Sequence, residues 1–168
     1  MLGAAEFAIP YYIIIATAKD GIPDGFAGIM TTIYLIAKVI IAPIAGRIGD
    51  QFSPIVTLGV SCVFGVFSAM LAITAPNWQV TVLMYIFLAF ATNGIYTAQS
   101  AAPIVYSQNK HVSIYSAIVS LLCAPLYILV SFGGAAIANF FSYNIMFGLA
   151  LIVYGTGVVL SVRFSRKC

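Results

Sequence analysis

Two ionisable side chains, Glu6 and Lys38, stand inside otherwise apolar runs of the sequence. A charge near the centre of a bilayer costs at least about 2.5–3.5 kcal/mol on insertion scales, and pairing lowers that cost. In a helix that rises 1.5 Å per residue, Glu6 lies roughly 20 Å from the outer end of the first predicted segment. Lys38 lies about 18 Å from the outer end of the second, antiparallel segment, on the same side of the membrane. Their similar depth suggests an intramembrane pair that binds a charged solute or changes protonation. The alternative places Glu6 at the membrane interface and lets Lys38 extend its side chain to the cytoplasm.

The stretch LAFATNGIYTAQSAAP is the most polar of the long runs. Asn93, Tyr96 and Ser100 follow i, i+3, i+7 spacing and share one helix face. Polar side chains of membrane helices face a water-filled cavity or a partner helix. We favour a cavity-lining face, with hydrogen bonding between helices as the alternative. Four tyrosines inside other apolar runs have the same two readings, pore lining or packing: Tyr11, Tyr12, Tyr34 and Tyr127.

The composition of the 168 residues identifies the solvent of the protein. Hydrophobic residues make up 62% and charged residues only 7%, whereas a soluble domain carries about 25% charged residues. Lipid is therefore the expected surrounding. The formal charge of +3 is small and scattered, which argues against nucleic-acid binding because that needs a basic patch.

Polar and Pro/Gly-containing breaks divide the chain into six apolar segments. A membrane helix needs about 20 apolar residues, and the runs show no period-2 alternation, so we predict an all-α membrane protein in one domain, residues 1–168. The segments cover about residues 3–18, 26–45, 54–75, 79–106, 112–140 and 143–162.

The positive residues predict the orientation of these six segments. On one side of the membrane, the alternating segments place a single cation, Lys19, next to Asp20 and Asp24. By the positive-inside rule, both termini are predicted to be cytoplasmic, in the cell membrane. Five cations fall on the other, cytoplasmic side: Arg47, Lys110, Arg163, Arg166 and Lys167.

Enzyme signatures are missing from the sequence. It contains no GxSxG, no HExxH, no phosphate-binding glycine loop and no acidic metal cluster. Cys62, Cys123 and Cys168 are far apart and lack metal-ligand spacing. We therefore expect no catalytic residues, no metal site and no cofactor.

The break GRIGDQFSP resembles the loop motif G-x-L-A-D-R-x-G-R-R/K of the major facilitator superfamily, found between the second and third helices of each six-helix half. Gly46, Ile48, Gly49 and Asp50 occupy the Gly, Leu, Ala and Asp places, and Arg47 adds the expected cytoplasmic charge. Glycines here would permit a tight turn. The motif is only partly preserved, and the 79–106 segment lacks an arginine. Both features resemble the C-terminal half of these transporters, helices 7–12, as do the stretches FAIPYYIIIA and PIAGRIGD.

The resemblance implies two six-helix halves that rock around a midplane site and give a small solute alternating access, with or without a coupled proton or ion. The first and fourth helices of each half would line the cavity, and Asp50 would hold the halves together. Polar faces meant for the cavity cannot be left to lipid, so we expect a second half or a homodimer, the chain being a half-length or fragmentary transporter. The alternatives are a non-transporting membrane subunit that binds another membrane protein, or an unrelated six-helix carrier or channel.

Overall fold

The computed structural model describes residues 11, 12, 14, 25–74, 77–106, 112–140 and 143–165. In these ranges the ordered elements are helices and no strand occurs, as the all-α prediction requires. Apart from helical Tyr11, Tyr12 and Ile14, the predicted segment 3–18 lies outside the described residues. The helices are α1 (Gly25–Gln51), α2 (Pro54–Thr74), α3 (Trp78–Tyr106), α4 (Val112–Phe140) and α5 (Tyr143–Ser165).

Each of these five helices is long and apolar enough to cross a membrane. They correspond to five of the six predicted segments. The largest difference in bounds is at α1, which continues six residues past the predicted end at 45.

The turn between α1 and α2 lies later than the sequence suggested. Gly46 and Gly49 are helical, and the connection consists of Phe52 and Ser53 alone. Ser53 caps α2, because its side-chain oxygen accepts a hydrogen bond from the Val56 amide at 3.3 Å. Pro54 takes the first helical position, where a missing N–H costs nothing. The interpretation of GRIGDQ as a glycine turn was wrong, because the Ser53 cap and Pro54 determine where α1 and α2 are separated.

Helix α2 packs antiparallel to α5 through glycines that receive side chains of the facing helix. The ring of Tyr154 lies against Gly65, so a Cβ there would collide with the ring carbons. Farther along the crossing, Ser161 packs on Gly59 in the same way. Small residues let membrane helices approach this closely, and the α2–α5 contact is therefore fixed by backbone shape.

Helix α3 packs on another side of α2. The Phe64 ring stacks on Phe90 with centroids 4.2 Å apart. The Ser68 hydroxyl donates to the backbone carbonyl of Met84 at 3.2 Å, and Gly94 lies directly against Ser61. Helix α2 thus forms the centre of the described bundle, between α3 and α5.

Helix α1 runs parallel to α3. Phe26 meets Trp78 near the starts of both helices, with ring centroids 6.4 Å apart. Tyr34 meets Tyr85 farther along, again at 6.4 Å. This register brings the middle of α1 beside the middle of α3, where the polar residues of both helices lie.

Helix α4 exposes most of its apolar side chains in the described part of the chain. Leu121 and Phe132 are about three-quarters exposed. In a bilayer such exposure costs little, because lipid tails are as apolar as leucine. One polar contact joins α4 to α3: the Tyr127 hydroxyl donates to Gln99 Oε1 at 3.1 Å.

Candidate functional site

Lys38 is the central residue of α1, thirteen residues from both Gly25 and Gln51. That leaves about 20 Å of helix on either side. The centre of a bilayer core is about 15 Å from either interface, farther than a lysine side chain extends from its helix. If α1 is centred in the bilayer, the ammonium does not reach the cytoplasmic surface, which was the alternative drawn from the sequence.

The Lys38 ammonium lies between two tyrosine rings. Its Nζ is 5.2 Å from the ring centroid of Tyr34 on α1 and 5.3 Å from that of Tyr96 on α3. Tyr34 precedes Lys38 by one turn of α1, and Tyr96 belongs to the adjacent helix α3. Each cation–π contact contributes about 0.5–2 kcal/mol, more as the site is desolvated. Together they offset much of the cost of placing a charge at this depth.

A hydrogen bond from α3 fixes the backbone beside this ammonium. The Asn93 amide Nδ2 donates to the backbone carbonyl of Lys38 at 2.6 Å. Asn93 was predicted to belong to a cavity-lining face, and the structure uses its amide nitrogen to join two helices. The contact holds Lys38 and Tyr96 at the same level.

A second polar contact holds the Tyr34 ring in place. The hydroxyl oxygens of Tyr34 and Thr92 are 3.1 Å apart. The Thr92 hydroxyl donates its own hydrogen to the backbone carbonyl of Leu88, 2.9 Å away. The Tyr34 hydroxyl is therefore the donor to Thr92. Sequence reasoning did not connect Tyr34 with Lys38, although i, i+4 spacing puts them on one face of α1.

Tyr96 and Ser100 lie one helical turn apart on a largely exposed face of α3. Tyr96 is 44% exposed, and Ser100 is also exposed. The Ser100 hydroxyl donates to the backbone carbonyl of Tyr96 at 2.6 Å. This hydrogen bond lowers the free-energy cost of placing the hydroxyl in apolar surroundings. We call Lys38, Asn93, Tyr96 and Ser100 the polar face.

Glu6, the predicted partner of Lys38, lies outside the described residues. Asp50 is the one acidic side chain in the described ranges. It is exposed and twelve residues beyond Lys38 on the same helix, about 18 Å along the axis. Asp50 therefore cannot neutralise the ammonium.

The described helices also border a partly open cavity of about 230 Å³ whose lining includes no residue of the polar face. It lies between α2, α3 and α5, and its walls are almost entirely apolar, with Cys62, Ile95 and Tyr154 among them. Such a space suits apolar atoms, and it offers almost no polar surface to a charged solute.

Comparison with known proteins now decides the family. The family model of the Major Facilitator Superfamily matches residues 1–167. The chain belongs to the major facilitator superfamily. A search of curated proteins finds no significant match, and a search of solved structures finds none either.

As a major facilitator protein, the chain is a multi-pass membrane transporter of the all-α class. The resemblance drawn from GRIGDQFSP is therefore confirmed at the level of the family, and an unrelated carrier or channel is excluded. The motif residues occupy the last two turns of α1, where Arg47 and Asp50 are exposed. A Cβ added at Gly49 would make ordinary van der Waals contacts with Thr57 of α2 and Thr97 of α3.

Proposed function

We propose that the polar face lines the solute path of a secondary-active transporter that works by alternating access. The observation that supports this most is the Lys38 ammonium at the midpoint of α1, between two tyrosine rings. An ionisable group at this depth faces a cavity or a partner group, because lipid cannot solvate it. Major facilitator transporters bind their solutes near the midplane, between repeats.

We further propose that these helices form one six-helix half that works with a second half, be it another copy, a separate polypeptide or a further part of a longer polypeptide. In the described part of the chain, the side chains of Tyr96 and Ser100 are exposed. A facing half would convert this surface into a water-filled cleft. Asp50, exposed at the end of α1, would contact that half and help to hold it.

Orientation and coupling complete the proposal. The distribution of lysine and arginine supports a cell-membrane protein with both termini in the cytoplasm. Glu6 and Lys38 are the ionisable residues that would respond to a coupled proton or ion. Such coupling would require one of them to change its charge or its partner during each cycle.

Uptake into proteoliposomes tests the proposal. The full chain, alone and with a co-expressed second half, is reconstituted and assayed with radiolabelled sugars, amino acids and carboxylic acids. We expect at least one solute to enter, and Lys38→Ala to lower its rate at least tenfold. Arg163→Ala, which removes an exposed cation from the last turn of α5, is the matched control.

Two results would overturn the proposal. Absence of flux for every solute, with and without the second half, would exclude transport. Unchanged uptake by Lys38→Ala would remove the polar face from the path.

A further inference from the structure

Lys38 has more hydrogen-bonding capacity than its aromatic neighbours can use. An ammonium group carries three N–H donors, and two ring faces lie near Nζ, at 5.2 and 5.3 Å. If each ring face receives one donor, a third points away from both rings. At this depth the strongest partner for such a donor is an anionic oxygen.

The neighbouring polar groups supply no such oxygen. The Tyr34 hydroxyl donates to Thr92, and the Asn93 amide nitrogen is itself a donor. Asp50, the acidic residue among those described, lies a dozen residues along α1 from Lys38. In the described ranges, the ammonium therefore has aromatic neighbours and no counter-ion.

We propose that Lys38 is the anion-binding group of this site and that the transported solute is a small organic monocarboxylate. The proposal rests on the transport function proposed above. One ammonium balances one carboxylate, which binds the donor that points away from the rings. A site with a single fixed positive charge also disfavours cationic solutes.

The tyrosine rings favour an organic anion over an inorganic one. Aromatic rings carry a positive edge around a negative face, so the edges of Tyr34 and Tyr96 can lie beside a carboxylate. The same rings offer apolar surface to a carbon skeleton, which chloride and phosphate lack. Tyr34 acts as a positioning residue, because its hydroxyl is held by Thr92 at 3.1 Å.

Ligand-dependent thermal stabilisation of the purified full chain in detergent tests the proposal without requiring flux. Benzoate is compared with benzamide and lactate with lactamide, because each pair has nearly the same shape and differs in charge. We expect at least one carboxylate to bind, and its amide to bind at least tenfold more weakly. We expect Lys38→Gln to weaken carboxylate binding at least tenfold, Lys38→Arg to retain it, and Arg163→Gln to leave it unchanged.

Each remaining outcome contradicts the proposal. Equal binding of acid and amide, no binding of either acid, or equal binding by Lys38→Gln would remove the anion site. Competition by chloride or phosphate at the same concentration as the carboxylate would make the site one for inorganic anions. Binding that appears only in Glu6→Gln would assign the ammonium to an internal ion pair.

The transport function and the monocarboxylate assignment can fail independently of each other. The acid–amide comparison uses the unmodified chain, so it stands even if Lys38→Gln does not fold. Carboxylate binding without flux in proteoliposomes would overturn the transport function alone. Flux of neutral solutes without carboxylate binding would overturn the monocarboxylate assignment alone.

Discussion

A side-chain amide at the centre of a membrane helix needs an acceptor, and Asn93 finds one on another helix. Its bond to the Lys38 carbonyl, at 2.6 Å, joins α1 to α3 at the level of the ammonium. Tyr34 and Thr92 repeat the arrangement one turn away. These two contacts keep the Tyr34 and Tyr96 rings on either side of Nζ, and the electrostatics of the site depend on them.

Asn93→Ala should loosen this connection. Hydrogen bonds between membrane helices contribute about 0.6 kcal/mol on average and up to about 1.7 kcal/mol. We expect the variant to lose stability within that range, measured by circular dichroism during unfolding in SDS. Gln79→Ala, at the exposed start of α3, should be neutral, and an equal loss in both variants would contradict the assignment.

Residue-level prediction from sequence singled out residue types and their positions along the helices, and it stopped at contacts. The scarcity of charge was enough to single out Lys38. Helical spacing was enough to group Asn93 with Tyr96 and Ser100. The partner of Asn93 depends on the rotation and register of α1 against α3, which the sequence does not encode, because apolar residues lie on all sides of both helices.

At the scale of elements, the helix crossings are set by small residues more than by polar ones. Gly65 receives the Tyr154 ring, and Gly157 of α5 faces the Cys62 side chain of α2. Ser61, Gly65 and Ala69 follow i, i+4, i+8 spacing on α2, and all three are buried. At Gly155 of α5, by contrast, an added Cβ would meet open space.

Gly65→Ala should destabilise the α2–α5 contact. Its Cβ would collide with the Tyr154 ring, and overpacking of this kind costs about 1–3 kcal/mol. Unfolding in SDS measures the loss. Gly155→Ala is the matched control and should be neutral or slightly stabilising, since alanine favours helix by up to about 1 kcal/mol. Similar behaviour of the two variants would show that the crossing is not fixed at Gly65.

Ser53→Ala should weaken the start of α2. The Ser53 side chain accepts the Val56 amide, and loss of such a cap costs about 1 kcal/mol. The same SDS unfolding experiment measures it, with Ser120→Ala on the exposed side of α4 as control. If Ser53→Ala kept full stability, Pro54 alone would suffice to separate the helices.

At the scale of the whole molecule, charge placement predicts the topology that we propose, with both termini in the cytoplasm. In that topology, Cys168 should react with a membrane-impermeant maleimide only in inverted vesicles. The experiment uses a Cys62→Ala, Cys123→Ala background. Asn77→Cys in the connection between α2 and α3, with Cys168 also replaced, should react only in right-side-out vesicles. The reverse pattern would invert the orientation.

Family and fold class could be predicted from the sequence because both depend on patterns spread over the whole chain. Runs of about 20 apolar residues and one short motif were sufficient. The end of α1 was misplaced because two glycines were interpreted as a turn, whereas both lie within the helix. The Ser53–Pro54 pair held the better signal, a cap followed by a residue without an N–H.

Water accessibility of the polar face is the most direct measurement of its place in the solute path. Tyr96→Cys and Ser100→Cys are compared with Ile152→Cys, which is 63% exposed near the middle of α5, with Cys62, Cys123 and Cys168 replaced by alanine. A charged methanethiosulfonate reagent should modify both polar-face cysteines at least tenfold faster than the cysteine at position 152. If all three react equally slowly, the polar face borders lipid or protein, and a solute path along it is ruled out.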